Sequence, residues 1–148
     1  MNRPAHASAA HVLVVDDDAG VRTALGQLLR SEAYSVTLAA NGQEALDRLE
    51  GGDIDLVLLD LNMPVKNGWD TFERITSVNP SLPIILITAR PDQHRLAVAA
   101  GASALMEKPL NLPVLLTTIK ELLAEPTARR WRRGAGHSRH SRHHAAAA

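Results

Sequence analysis

The chain has no cysteine, which excludes a disulfide framework and any metal centre held by thiolates. No apolar run reaches membrane-spanning length. Residues 1–10, with one Arg and many Ala, lack the continuous apolar stretch of a signal peptide, so a cytoplasmic location is the expectation. Aromatic residues are scarce as well, with Tyr34 and Phe72 the sole Tyr and Phe. What is present is an ordinary globular composition: 148 residues, 45% hydrophobic and 22% charged, fit one soluble domain with a normal core.

A net charge is also missing, but the formal zero hides two opposite parts. Residues 126–148 hold six Arg and no acid, whereas residues 1–125 hold ten Lys plus Arg against sixteen acids. The expected organisation is a flexible leader at 1–10, an acidic folded domain at 11–125 and a basic tail at 126–148. Beyond Trp131 the tail has little to bury, so disorder is its expected state. The run Arg129-Arg130-Trp131-Arg132-Arg133 combines charge for phosphates with a ring for stacking, which opens a nucleic-acid or membrane-surface reading for the tail. His137, His140, His143 and His144 lack regular metal-ligand spacing. A tail of this length is expected to be too short for an independent DNA-binding domain.

Within 11–125 the apolar runs end in polar groups. Val12-Leu13-Val14-Val15 leads to Asp16-Asp17-Asp18, Leu56-Val57-Leu58-Leu59 to Asp60, and Ile84-Ile85-Leu86-Ile87 to Thr88; a shorter run, Ala104-Leu105-Met106, leads to Lys108-Pro109. Between them lie helical patterns. Val21, Leu25, Leu28 and Leu29 recur at helical spacing, and Ser35 to Ala39 reads as a short strand. Asn41 is placed to cap a helix that Gly51-Gly52 ends, Asn79-Pro80 stops a helix carrying Trp69, Phe72 and Ile75, and Pro91 opens a short one that Gly101 closes. Leu112, Leu115, Leu116, Ile119, Leu122 and Leu123 form a final apolar stripe.

Five strands alternating with five helices predict a doubly wound α/β domain with a parallel sheet. The strands are continuously apolar, as strands covered on both faces are. Ligands of such sheets sit beyond the carboxyl ends of the strands, so Asp16, Asp17, Asp60, Thr88 and Lys108 should converge on one pocket. Three carboxylates there require a cation, and hard oxygen ligands suit Mg²⁺. With a lysine and a hydroxyl beside them, the set suits phosphoryl transfer, with Asp60, alone at its strand end, as the nucleophile.

The segments Val14-Val15-Asp16-Asp17-Asp18, Leu58-Leu59-Asp60-Leu61-Asn62-Met63-Pro64 with Gly68, Thr88-Ala89, and Ala100-Gly101-Ala102 leading to Lys108-Pro109 resemble the receiver domain of two-component response regulators, over about residues 11–125. The resemblance implies a flavodoxin-like (βα)5 fold with strand order 2-1-3-4-5. It further implies that Asp60 accepts a phosphoryl group from a sensor histidine kinase or phosphotransfer protein. Asp16, Asp17, Asp60 and the backbone carbonyl of Asn62 would hold Mg²⁺, while Lys108 and Thr88 would contact the phosphoryl group. Such a chain is a signalling phospho-acceptor rather than an enzyme acting on other molecules, and works as a monomer or a phosphorylation-dependent dimer that switches contacts with an output protein.

One position departs from the family. Three residues before the lysine many receivers carry Tyr or Phe, and here Leu105 stands. Asn62 and Arg90 occupy places where the family tunes phosphoryl lifetime. Three plainer expectations concern single residues: Asp18 is a helix cap, Trp69 a partly exposed helix-face residue, and His94 a solvent-facing residue on a helix that the family uses for partners. The alternative functions are a nucleic-acid-associated regulator acting through the tail and a phosphorylation-independent pseudo-receiver.

Overall fold

The computed structural model describes residues 9–63 and 68–125. The expectations for most of the leader, for Pro64 and for the tail at 126–148 therefore lie outside the described residues.

The elements in chain order are β1 (His11–Val15), α1 (Ala19–Ser31), β2 (Ser35–Ala39), α2 (Gly42–Leu49), β3 (Leu56–Asp60), α3 (Gly68–Val78), β4 (Ile84–Thr88), a 3-10 turn (Pro91–Gln93), α4 (His94–Ala100), β5 (Ala104–Glu107) and α5 (Leu112–Ala124). Local chemistry explains most of these limits. Asp18 Oδ1 accepts from Val21 N–H at 3.1 Å and starts α1 as its N-cap, as expected. Asn41 Oδ1 accepts from Glu44 N–H at 2.9 Å while Glu44 Oε1 accepts from Ala40 N–H at 2.8 Å, satisfying two backbone donors at the start of α2. Asn111 caps α5 in the same way through Val114 N–H. Gly101 ends α4 with a left-handed φ of 80°, a conformation that costs glycine little.

Two boundaries differ from the sequence expectation. The segment after Pro91 begins as a 3-10 turn rather than a continuous helix, because Asp92 leaves helical geometry at φ −96°, ψ 16°. Strand β5 runs one residue further than its apolar run, to Glu107, which pairs with Thr88.

The five strands form one parallel sheet in the order β2-β1-β3-β4-β5. Side chains alternate between the two faces along each strand. Leu13, Val15, Val57, Leu59, Ile84, Leu86 and Leu105 pack with Phe72 and Ile75 of α3 and Ala97 of α4. Val12, Val14, Leu56, Leu58, Ile85, Ile87 and Met106 pack with Leu25 and Leu29 of α1 and Leu115, Ile119 and Leu122 of α5. Each fully buried aliphatic side chain contributes roughly 1.5–3 kcal/mol. A one-residue slip of a strand would exchange its two faces, so this double burial fixes where each strand ends and hence where its terminal polar residue sits.

Candidate functional site

The two central strands, β1 and β3, flank the point where strand order reverses, since the chain goes outward to β2 on one side and to β4 and β5 on the other. The crevice beyond their carboxyl ends is the usual ligand position in such sheets. Asp16 follows β1 directly and Asp60 is the last residue of β3. One carboxylate oxygen from each of Asp16, Asp17 and Asp60 lies within 4.8 Å of the others. Asp16 and Asp60 are each 2% exposed, whereas Asp17 is open to solvent.

Backbone donors aim the two buried acids. Asp18 N–H donates to Asp16 Oδ1 at 2.9 Å, and Asn62 N–H donates to Asp60 Oδ1 at 3.0 Å. The other oxygen of Asp60, Oδ2, faces Lys108 Nζ at 3.5 Å. Lys108 is itself fixed by its backbone N–H, which donates to the carbonyl of Thr88 at 2.8 Å. Arg22, one turn into α1, donates from its guanidinium to the backbone carbonyl of Asp16 at 2.8 Å.

Electrostatics identifies what the cluster needs. Two carboxylates at about 4.8 Å repel by on the order of 3 kcal/mol at the dielectric that suits protein sites. Lys108 is the one cation paired with this acid set among the described residues. Burial raises the Asp16 carboxyl above its ordinary value, and the charges of Asp60 and Asp17 raise it further, against the lowering effects of the Asp18 N–H and Lys108. A dication held by these oxygens would relieve the repulsion. Hard carboxylate donors with an open side at Asp17 fit Mg²⁺, which retains several waters when bound.

Thr88 ends β4 and is buried. Its hydroxyl donates to Asn62 Oδ1 at 3.3 Å and accepts from Arg90 N–H at 3.0 Å. Asn62 Oδ1 also accepts from Ala89 N–H at 2.8 Å. Thr88 thus borders the acid set and is linked to it through Asn62. Asp16, Asp17, Asp60 and Lys108 come together as the sequence predicts. The side-chain role of Asn62 and the contact from Arg22 are not apparent in the sequence; the available signal was an Asn two residues past a strand-end acid and an Arg one turn past a helix cap.

Trp69 is half-buried, with its ring edge-on to Phe72 at 5.9 Å and its Nε1–H donating to Gln93 Oε1 at 2.8 Å. Leu105 is fully buried on the face that packs against α3 and α4. His94, the first residue of α4, does not face solvent freely: it is half-buried and its Nδ1 is shielded. No helix among the described residues is long and apolar enough to cross a membrane.

Comparison with known proteins agrees with this geometry. Over 132 residues the chain is 40% identical to the transcriptional regulatory protein GlrR of Escherichia coli, covering 83% of this chain and 29% of that protein. It is 40% identical over 118 residues to the response regulator MprA of Mycolicibacterium vanbaalenii, covering 78% of this chain and 51% of the relative. The chain therefore spans about half or less of the length of these relatives. A CheY-like response regulator receiver domain protein from Methanospirillum hungatei superposes with a TM-score of 0.75 at 31% identity, covering 82% of this chain and 98% of that one. The response regulator TrrA of Thermotoga maritima, solved in complex with Mg(2+)-BeF, superposes with a TM-score of 0.69 at 33% identity, covering 76% and 98%. With residues 12–120 also matching the response regulator receiver domain as a family, and the acid cluster at the strand ends where the fold places a ligand, the chain belongs to that family.

Proposed function

We propose that this chain is the phospho-accepting receiver of a two-component phosphorelay. A carboxylate oxygen of Asp60 attacks the phosphorus of a phosphohistidine on a sensor histidine kinase or phosphotransfer protein. The P–N bond breaks, its electron pair returns to the imidazole, which takes a proton from solvent, and an acyl phosphate forms on Asp60. Asp16, Asp17, Asp60 and the backbone carbonyl of Asn62 would hold Mg²⁺, which when bound offsets the charge of carboxylates and phosphoryl oxygens. Lys108 pairs with one phosphoryl oxygen and the Thr88 hydroxyl donates to another. The added charge, about −1.5 to −2, changes the contacts made with an output partner.

The observation that carries this reading is the placement of the buried Asp60 with its Oδ2 facing Lys108 and the Asp16 and Asp17 carboxylates within 4.8 Å, at the reversal of strand order. The Mg(2+)-BeF complex of TrrA supports it by analogy, because beryllofluoride mimics a phosphoryl group in shape and charge. The test is to incubate the full chain with Mg²⁺ and a small acyl phosphodonor and to weigh the intact protein. One added phosphoryl group is expected, not formed when EDTA replaces Mg²⁺ and absent from Asp60→Asn. Equal labelling of Asp60→Asn would overturn the assignment.

A further inference from the structure

Asn62 holds the last residue of β4 and the residue after it with a single atom. Its Oδ1 accepts from Ala89 N–H at 2.8 Å and from the Thr88 hydroxyl at 3.3 Å. Further along that connection Gln93 is buried, and its Oε1 accepts from Trp69 Nε1–H at 2.8 Å. Trp69 is the second residue of α3, braced edge-on by Phe72. Gly68, just before it, lies so close to the acceptor strand that a Cβ there would meet Asp60 O at 2.7 Å and Leu61 Cα at 2.4 Å. The indole is therefore anchored to the backbone of Asp60, while Gln93 belongs to the turn that opens α4. Residues 88–93 are held at both ends by residues that follow β3, Asn62 and Trp69, and Leu105 provides no aromatic ring to link Thr88 to α4.

We propose that Asn62 and the Trp69–Gln93 hydrogen bond form a two-point clamp on residues 88–93, which a phosphoryl group on Asp60 opens. The inference rests on the acceptor reading above. Ionised phosphoryl oxygens are stronger acceptors than a neutral amide oxygen, so they draw the Thr88 hydroxyl and Ala89 N–H away from Asn62. With the first point released, residues 88–93 move relative to α3, the Trp69–Gln93 bond breaks, and the start of α4 is freed. The clamp thereby supplies a link from Asp60 to α4 that does not pass through position 105.

The indole N–H signals of the ¹⁵N-labelled full chain test this, since the sequence has two Trp and Trp131→Phe assigns them. Beryllofluoride is titrated with Mg²⁺ and its binding is followed independently by ¹⁹F resonance. The Trp69 N–H signal should move to a position typical of a solvent-bonded indole, and the amide signals of α4 should move with it. Trp69→Phe and Gln93→Met each delete one hydrogen bond of the closed clamp, so beryllofluoride should bind roughly two- to twelve-fold more tightly to each. If one variant fails to fold by circular dichroism, the other carries the comparison. A Trp69 signal unmoved at saturating beryllofluoride, or unchanged affinity in the folded variants, overturns the clamp and leaves the acceptor reading intact. Absence of any bound ¹⁹F signal overturns both.

Discussion

The seat of α3 on the acceptor strand gives a direct test through Gly68→Ala. A Cβ at this position would lie 2.4 Å from Leu61 Cα, 2.7 Å from Asp60 O and 2.9 Å from Leu61 O, all backbone atoms of a buried strand end. Two carbon atoms rest near 3.5 Å, so the start of α3 would have to retreat by about 1 Å. Overpacking of this kind costs about 1–3 kcal/mol, and the better helix propensity of alanine returns at most about 1 kcal/mol. A net loss of about 1–2 kcal/mol, divided by a urea slope of about 1–3 kcal/mol/M, lowers the unfolding midpoint by roughly 0.3–2 M. Urea titrations followed by far-UV circular dichroism read this shift. The same variant should bind Mg²⁺ more weakly, because Asp60 and its carbonyl move with the strand end. A midpoint equal to or above that of the parent chain, at unchanged slope, would refute the close seating.

Metal-free stability should fall as pH rises through the titration of Asp16. Its carboxyl titrates above the ordinary value of 3.8 in the folded chain, chiefly through burial, so the folded state holds the proton more tightly than the unfolded state. Stability from this group is thus greatest below the unfolded value and is lost as pH passes the raised folded value. Thermal melts in EDTA from about pH 4 to 7 should show Asp16→Asn gaining on the parent chain toward neutral pH, and saturating Mg²⁺ should reverse that ranking; identical profiles in EDTA would count against a raised titration of the buried Asp16 carboxyl. Leu105→Ala removes a side chain with no exposure. It should cost about 2–5 kcal/mol in urea unfolding, yet leave Asp60 able to gain a phosphoryl group in the mass assay.

The fold was legible because its signals are local and redundant. Continuous apolar runs at 12–15, 56–59 and 84–87 marked strands covered on both faces, and the observed sheet buries all of them. Asp18 and Asn41 announced helix starts by the short reach of a side-chain oxygen to a nearby backbone N–H, and both make that bond. Asp16, Asp17, Asp60 and Lys108 could be grouped because a parallel sheet brings its strand ends to one edge. The contacts of Asn62 with Thr88 and Ala89, and of Trp69 with Gln93, were not legible, since they span 24 to 27 residues and depend on side-chain reach across loops. His94 was misjudged for a related reason: a seven-residue helix has too few positions for its pattern to say which face is covered.

The alternation of side chains along the strands has a genetic consequence. Asp60 and Asp16 fall in phase with the residues that meet α1 and α5, as does Lys108 beyond β5, whereas Thr88 and Leu105 fall in phase with those that meet α3 and α4. The sheet thus separates a face that carries the two buried acids and Lys108 from a face that carries Thr88 and Leu105, each free to accumulate substitutions with additive effects when the altered residues share no partner. Epistasis between the faces should concentrate where a hydrogen bond passes from one to the other, and Asn62 Oδ1 is such a crossing.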